Sequence, residues 1–142
     1  MERGRDRSPT GRAGLEGDLV IVVCAISAGI HGALAPEHFG EGAGAGLGFL
    51  VSALLLAGLA VALTRGAGPP ALAATILTLA GLIAAYALAV TSGVPVLHPE
   101  VEPVNGLALA TKAIEIVGLI AAAHVLLRDR PVALLTTERT LA

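Results

Sequence analysis

The chain has 142 residues, of which 55% are hydrophobic and only 14% charged, with a formal net charge of −2. That balance is membrane-like and gives none of the basic footprint expected of a nucleic-acid-binding protein. Its single cysteine, Cys24, excludes an intrachain disulfide.

Residues 1–17 are rich in Gly, Arg, Ser and Pro and predict a disordered tail. Asp18 is then placed to cap a first apolar helix over 19–35, and Pro36 to end it. A competing reading takes this start as a secretory signal with Ala33-Leu34-Ala35 as the cleavage site. Pro36 directly after the cut, four acids before the apolar stretch and the length of that stretch all favour a retained helix.

A second apolar run covers 43–63 and opens on the glycine-rich stretch 42–48. No strand precedes that stretch and no Lys-Ser/Thr follows it, so its glycines read as helix-packing positions and not as a phosphate loop. A turn over 64–70 leads to a third run, 71–90, and Asn105 is positioned to cap a fourth, 106–127. Each run matches the 17–25 residues that a helix needs to cross a hydrocarbon core, and the first three carry no Asp, Glu, Lys or Arg. Short links imply an all-α, up-down-up-down transmembrane four-helix bundle over 18–128, with a tail at 129–142. Trp is absent, and Phe39 and Phe49 are the only Phe residues available to anchor an interface.

The informative residues interrupt the apolar pattern. Lys112 and Glu115 lie one turn apart on the fourth helix. Counted from Gly106, they sit about 9 and 13 Å deep. A charge at the depth of Glu115 must be paired, hydrated or neutralised, and so belongs inside the bundle. On the first helix, Cys24, Ser27 and His31 form a stripe at helical spacing. Ser27, His31, Ser52 and Tyr86 all count to the same outer half of the membrane as the Lys112–Glu115 pair. This intramembrane polar cluster, Ser27, Ser52, Tyr86, Lys112 and Glu115, is one candidate site. The bland reading of the pair is an ion pair that joins helices. Cys24 reads as a packing residue and His124 as interfacial.

The connections 36–42 and 91–105 add a second candidate site. Pro95, Pro99 and Pro103 stiffen the longer connection, so that His98, Glu100 and Glu102 can face a common side. The shorter one carries Glu37 and His38 just after His31. His31, His38, His98, Glu37, Glu100 and Glu102 are therefore candidate metal ligands. Imidazole with carboxylate suits Zn, Fe, Mn or Cu(II). Their spacing matches no known metal motif, and the competing reading is a set of solvated loop residues.

The segments 29–38 (Gly-Ile-His-Gly-Ala-Leu-Ala-Pro-Glu-His) and 91–103 (Thr-Ser-Gly-Val-Pro-Val-Leu-His-Pro-Glu-Val-Glu-Pro) resemble two motifs of small, uncharacterised four-helix membrane proteins of high-GC actinobacteria. The resemblance implies a topology and a bacterial cytoplasmic membrane, and no activity. Glu115-Ile116-Val117-Gly118-Leu119 is similar to a stretch of DoxX-like four-helix proteins but is too short to transfer a role.

The sequence therefore leads to a polytopic membrane protein with no nucleophile–base set or cofactor box. Its leading role is non-enzymatic handling or sensing of a small ligand, foremost a transition-metal ion such as Zn, Cu or Fe. Two alternatives are an accessory subunit of a membrane complex and a proton-coupled transporter acting through Glu115, the latter as a homo-oligomer.

Arg3, Arg5, Arg7, Arg12, Arg65, Arg128, Arg130 and Arg139 all fall on one side of the expected spans, and 36–42 and 91–105 contain no Lys or Arg. The positive-inside rule then puts both termini in the cytoplasm. Reporter fusions at residue 142 and after Gly66 should report the cytoplasm, and one near Pro99 the outside. An external C-terminus would reverse the orientation.

Overall fold

A computed structural model describes residues 10–66, 68–94 and 99–128. They form four helices: α1 (Thr10–Glu41), α2 (Ala43–Thr64), α3 (Gly68–Thr91) and α4 (Gly106–Arg128). All four are long and apolar enough to cross a membrane, and no strand occurs among the described residues. α1 packs most extensively on α2, and α1–α4, α3–α4 and α2–α3 contacts close the ring. The α1–α2 turn and the α3–α4 connection thus share one end of the bundle, the loop end. The opposite end carries the chain termini and the α2–α3 link.

Burial runs opposite to that of a soluble bundle. The core is small, with Val20, Cys24, Leu56, Leu72, Leu79, Ala121 and Ala122 buried together. Many equally large apolar side chains point away from it: Leu77 is 74% exposed, Leu54 65% and Ile120 64%. Such surfaces are stable only against lipid, where helices also satisfy every backbone group internally. Small residues then set how closely the helices approach. At Gly118 an added Cβ would lie 2.5 Å from Val23 Cγ1 and 3.3 Å from Leu79 Cδ1, so α4 presses its backbone onto α1 and α3 here. In the glycine-rich stretch, Gly46 lies under the ring of Phe39 with no room for a Cβ, whereas Gly42 and Gly48 face open space.

α3 begins at Gly68, three residues before the expected 71, and the two larger differences from expectation are both on α1. Pro36 does not end the helix, which continues to Glu41. Proline removes one backbone donor, and the next turn keeps its own bonds, with the Gly42 amide donating to the His38 carbonyl at 3.1 Å. At the other end α1 begins at Thr10, so Asp18 lies inside the helix and residues 10–17, expected as part of a disordered tail, are helical. Glu16 supports this extension by accepting from His124 Nδ1 at 3.0 Å and Arg128 Nη1 at 3.2 Å, which ties the start of α1 to the end of α4. The rest of the expected tails, 1–9 and 129–142, lies outside the described residues.

Asn105 caps α4 as its position suggested, Oδ1 accepting from the Ala108 amide at 2.8 Å. The α3–α4 connection folds back onto α3. The Glu102 amide donates to the Ala89 carbonyl at 2.9 Å. Gly93, at φ +73°, leaves room for the Pro99 carbonyl where a Cβ would collide.

Gly118→Ala should destabilise the bundle by about 1–3 kcal/mol through overpacking. Val23→Ala in the same chain should recover part of that loss, and Gly58→Ala, where the Cβ meets open space, should cost nothing. Thermal unfolding in one detergent reads all three. Equal effects at Gly118 and Gly58 would contradict the close contact.

Candidate functional site

Glu115 is the largest polar side chain buried completely within the bundle, at 0% exposure. A lone carboxylate at such a position is prohibitively costly, and the fold supplies two strong donors. Ser27 Oγ donates to Oε1 at 2.6 Å across the α1–α4 contact, and Lys112 Nζ donates to Oε2 at 2.5 Å from one turn earlier on α4. The Lys112 ammonium also stands 5.8 Å from the ring centre of Tyr86 on α3, within cation–π range. The Tyr86 hydroxyl is buried and has no hydrogen-bond partner among the described residues.

His31, one turn beyond Ser27, completes this inner centre. Its Nδ1 lies 2.9 Å from the Ser27 carbonyl. A carbonyl can only accept, so Nδ1 carries the hydrogen and Nε2 is left with a lone pair. Nε2 faces Glu115 Oε1 at 4.0 Å.

A second centre lies further along the same face of α1. His38 Nδ1 donates to the Leu34 carbonyl at 2.9 Å, leaving Nε2 as an acceptor 3.9 Å from Glu41 Oε2. Glu102, brought in by the folded-back α3–α4 connection, adds a second carboxylate. One ligand atom from each of His38, Glu41 and Glu102 lies within 4.8 Å of the others. This set can hold a metal ion through one nitrogen and two oxygens. His38 would be oriented by its other ring nitrogen, the usual support of a ligating imidazole.

Phe49 of α2 stands between the two centres. Its ring stacks on His38, centroids 3.7 Å apart and planes at 25°, and lies tilted at 5.4 Å from His31. The uninterrupted path of α1 through Pro36 is what sets His38 two turns, about 10 Å, beyond His31 on one face.

The structure thus distributes the residues singled out from sequence. His31 joins Ser27, Lys112 and Glu115, with Tyr86 beside Lys112. His38 and Glu102 come together with Glu41. Glu37 and Glu100 are exposed and outside that group. His98 lies outside the described residues. Ser52 belongs to neither centre, since its hydroxyl donates to the Gly48 carbonyl of its own helix at 2.7 Å. Sequence reasoning did not assign Glu41 and Phe49. Glu41 follows His38 at helical i,i+3 spacing, a signal visible only if α1 passes Pro36. A cavity of about 150 Å³ lined by Gly17, Ile21, Leu63, Gly68, Leu72 and Val125 lies toward the termini end, away from both centres.

No family model, curated protein or solved structure matches the chain, so the functional reading rests on its own residues.

Removing one partner of a buried ion pair leaves the other charge uncompensated, at a cost of about 3–5 kcal/mol. Lys112→Ala should therefore destabilise the bundle more than Lys112→Ala combined with Glu115→Gln. Strictly additive thermal shifts would show that the two side chains do not interact.

Proposed function

We propose that this multi-pass membrane protein binds a divalent transition-metal ion at its loop end through His38, Glu41 and Glu102, in a handling or sensing role and not an enzymatic one. The reading is carried by one observation: three ligand atoms, from the end of α1 and the α3–α4 connection, lie within 4.8 Å of one another. Two further features support it. His38 holds its ring hydrogen on Nδ1, which frees Nε2 for an ion. The second and third ligands are both carboxylates, the hard oxygen donors that a divalent ion accepts beside an imidazole.

One imidazole and two carboxylates favour Zn, Fe, Mn or Cu(II), and three protein ligands leave a position for water or a passing ligand. The distribution of arginines turns this end outward, with both termini in the cytoplasm of a bacterial cell. An ion bridging α1 and the α3–α4 connection would hold the folded-back loop in place. Occupancy of the site would thereby change the outer surface offered to lipid, to a second copy or to a membrane partner.

Protein purified in detergent should bind Zn²⁺ or Mn²⁺ near one per chain, and its thermal stability should rise with free metal as mass action requires. Affinity should fall in acid, because ligation needs neutral imidazole. His38→Ala, and the pair Glu41→Gln with Glu102→Gln, should each abolish the stabilisation, whereas His124→Ala should not. Parental binding by His38→Ala combined with Glu102→Gln would reduce the cluster to solvated side chains. The reading would then pass to an accessory subunit of a membrane complex.

A further inference from the structure

The two centres on α1 share a geometry and differ in charge. In each, an imidazole donates from Nδ1 to the carbonyl four residues earlier and turns Nε2 toward a carboxylate, at 4.0 Å in the inner centre and 3.9 Å in the outer. The outer centre has two carboxylates. In the inner one Lys112 already balances Glu115, so there is no net negative charge to hold a divalent cation.

We propose that the inner centre is an intramembrane proton-binding site, with one proton taken up on His31 Nε2 against Glu115 Oε1 and exchanged with the loop end of the bundle. The first support is an unfilled contact. Nε2 and Oε1 are both acceptors, 4.0 Å apart with no hydrogen between them, although Oε1 also accepts from Ser27. A proton on Nε2 turns this into an imidazolium–carboxylate pair, while Ser27 and Lys112 continue to hold Glu115 ionised. The proton comes from water at the loop end. It bonds to the Nε2 lone pair, no other bond breaks, and the centre gains one positive charge.

The surroundings fit a proton and little else. The 150 Å³ cavity lies elsewhere. Facing the centre are Ser27 and His31 from α1, Lys112 and Glu115 from α4 and Tyr86 from α3, and His38 two turns along α1 also acts on His31 through its charge. α2 has no titratable side chain and contributes Phe49. The side chains of His31 and Lys112 retain 8% and 13% exposure, and both residues lie on the loop-end side of Glu115 along their helices. Toward the termini end the route is closed by Val23, Leu79 and Gly118 in close contact, then by Val20, Cys24, Leu56 and Leu72. With the termini side packed shut, exchange with the loop end is the route we propose.

This inference is independent of the metal site and is tested without metal. In liposomes, ¹⁵N-histidine NMR should show His31 passing from the Nδ1–H neutral form to the doubly protonated form as pH falls from about 8 to 5, the range over which imidazoles change charge. Opposite charges should act oppositely. Glu115→Gln should weaken proton binding by more than about tenfold, and Lys112→Met should strengthen it by a similar factor. A merely structural role would move neither. With pH stepped on one face at a time, His31 should follow the loop face. A His31 that stays neutral throughout, or that follows the termini face, would overturn the proposal in the unmodified protein, whatever the stability of the variants.

Discussion

The Glu115 carboxylate is the constraint on which the arrangement depends. It is the only acid inside the apolar stretch of α4, and it cannot stand unpaired in hydrocarbon. One of its oxygens is satisfied by Lys112 on the same helix and the other by Ser27, 88 residues away on α1. That second bond fixes the rotation and the axial register of α1 against α4. Gly118, one turn further, then lies against Val23 and Leu79 with no space for a side chain, so the polar bond and the apolar contact specify one alignment. Polar contacts of this kind add little net energy over a hydrophobic isostere, and their worth here lies in register.

Once α1 is fixed, its face carries two imidazoles into two different environments. His31 is held beside the buried pair, and His38 two turns on lies near Glu41 and Glu102. Phe49 separates them and touches both rings. Local geometry is nearly the same at the two histidines, so what each can bind is decided by the neighbouring charges. A lysine beside one carboxylate suits the proposed proton, whereas an imidazole beside two carboxylates suits the proposed metal.

Much of this was legible in the sequence because the membrane simplifies the problem. Apolar runs of spanning length, three of them charge-free, gave the four helices, and Asn105 marked the start of α4. Counting residues from the helix ends put Ser27 and Glu115 at one depth, where they are hydrogen bonded. Depth does not give rotation about the helix axis, so Ser52 counted with the cluster although it bonds only to its own helix. Pro36 was misleading for a physical reason. It removes a single backbone donor, and the ladder resumes after it, with the Gly42 amide bonded to the His38 carbonyl at 3.1 Å. Treating Pro36 as a stop broke the spacing that joins His38 to Glu41, and it ran the histidines and glutamates together as one outer cluster. The long connection reaches Glu102 into the site through an amide bond to Ala89 and a tight turn at Gly93, long-range features that no local pattern announces.

The central claim is that His31 and His38 belong to different centres, only one of which is proposed to hold a metal ion. The most direct measurement is the X-ray absorption spectrum of bound Zn²⁺ in the parent protein and in His31→Phe. The account predicts the same shell in both, with a His38 imidazole and carboxylate oxygens. Loss of an imidazole from the shell on replacing His31 would show that the two histidines share the ion, and would contradict the division that Phe49 marks.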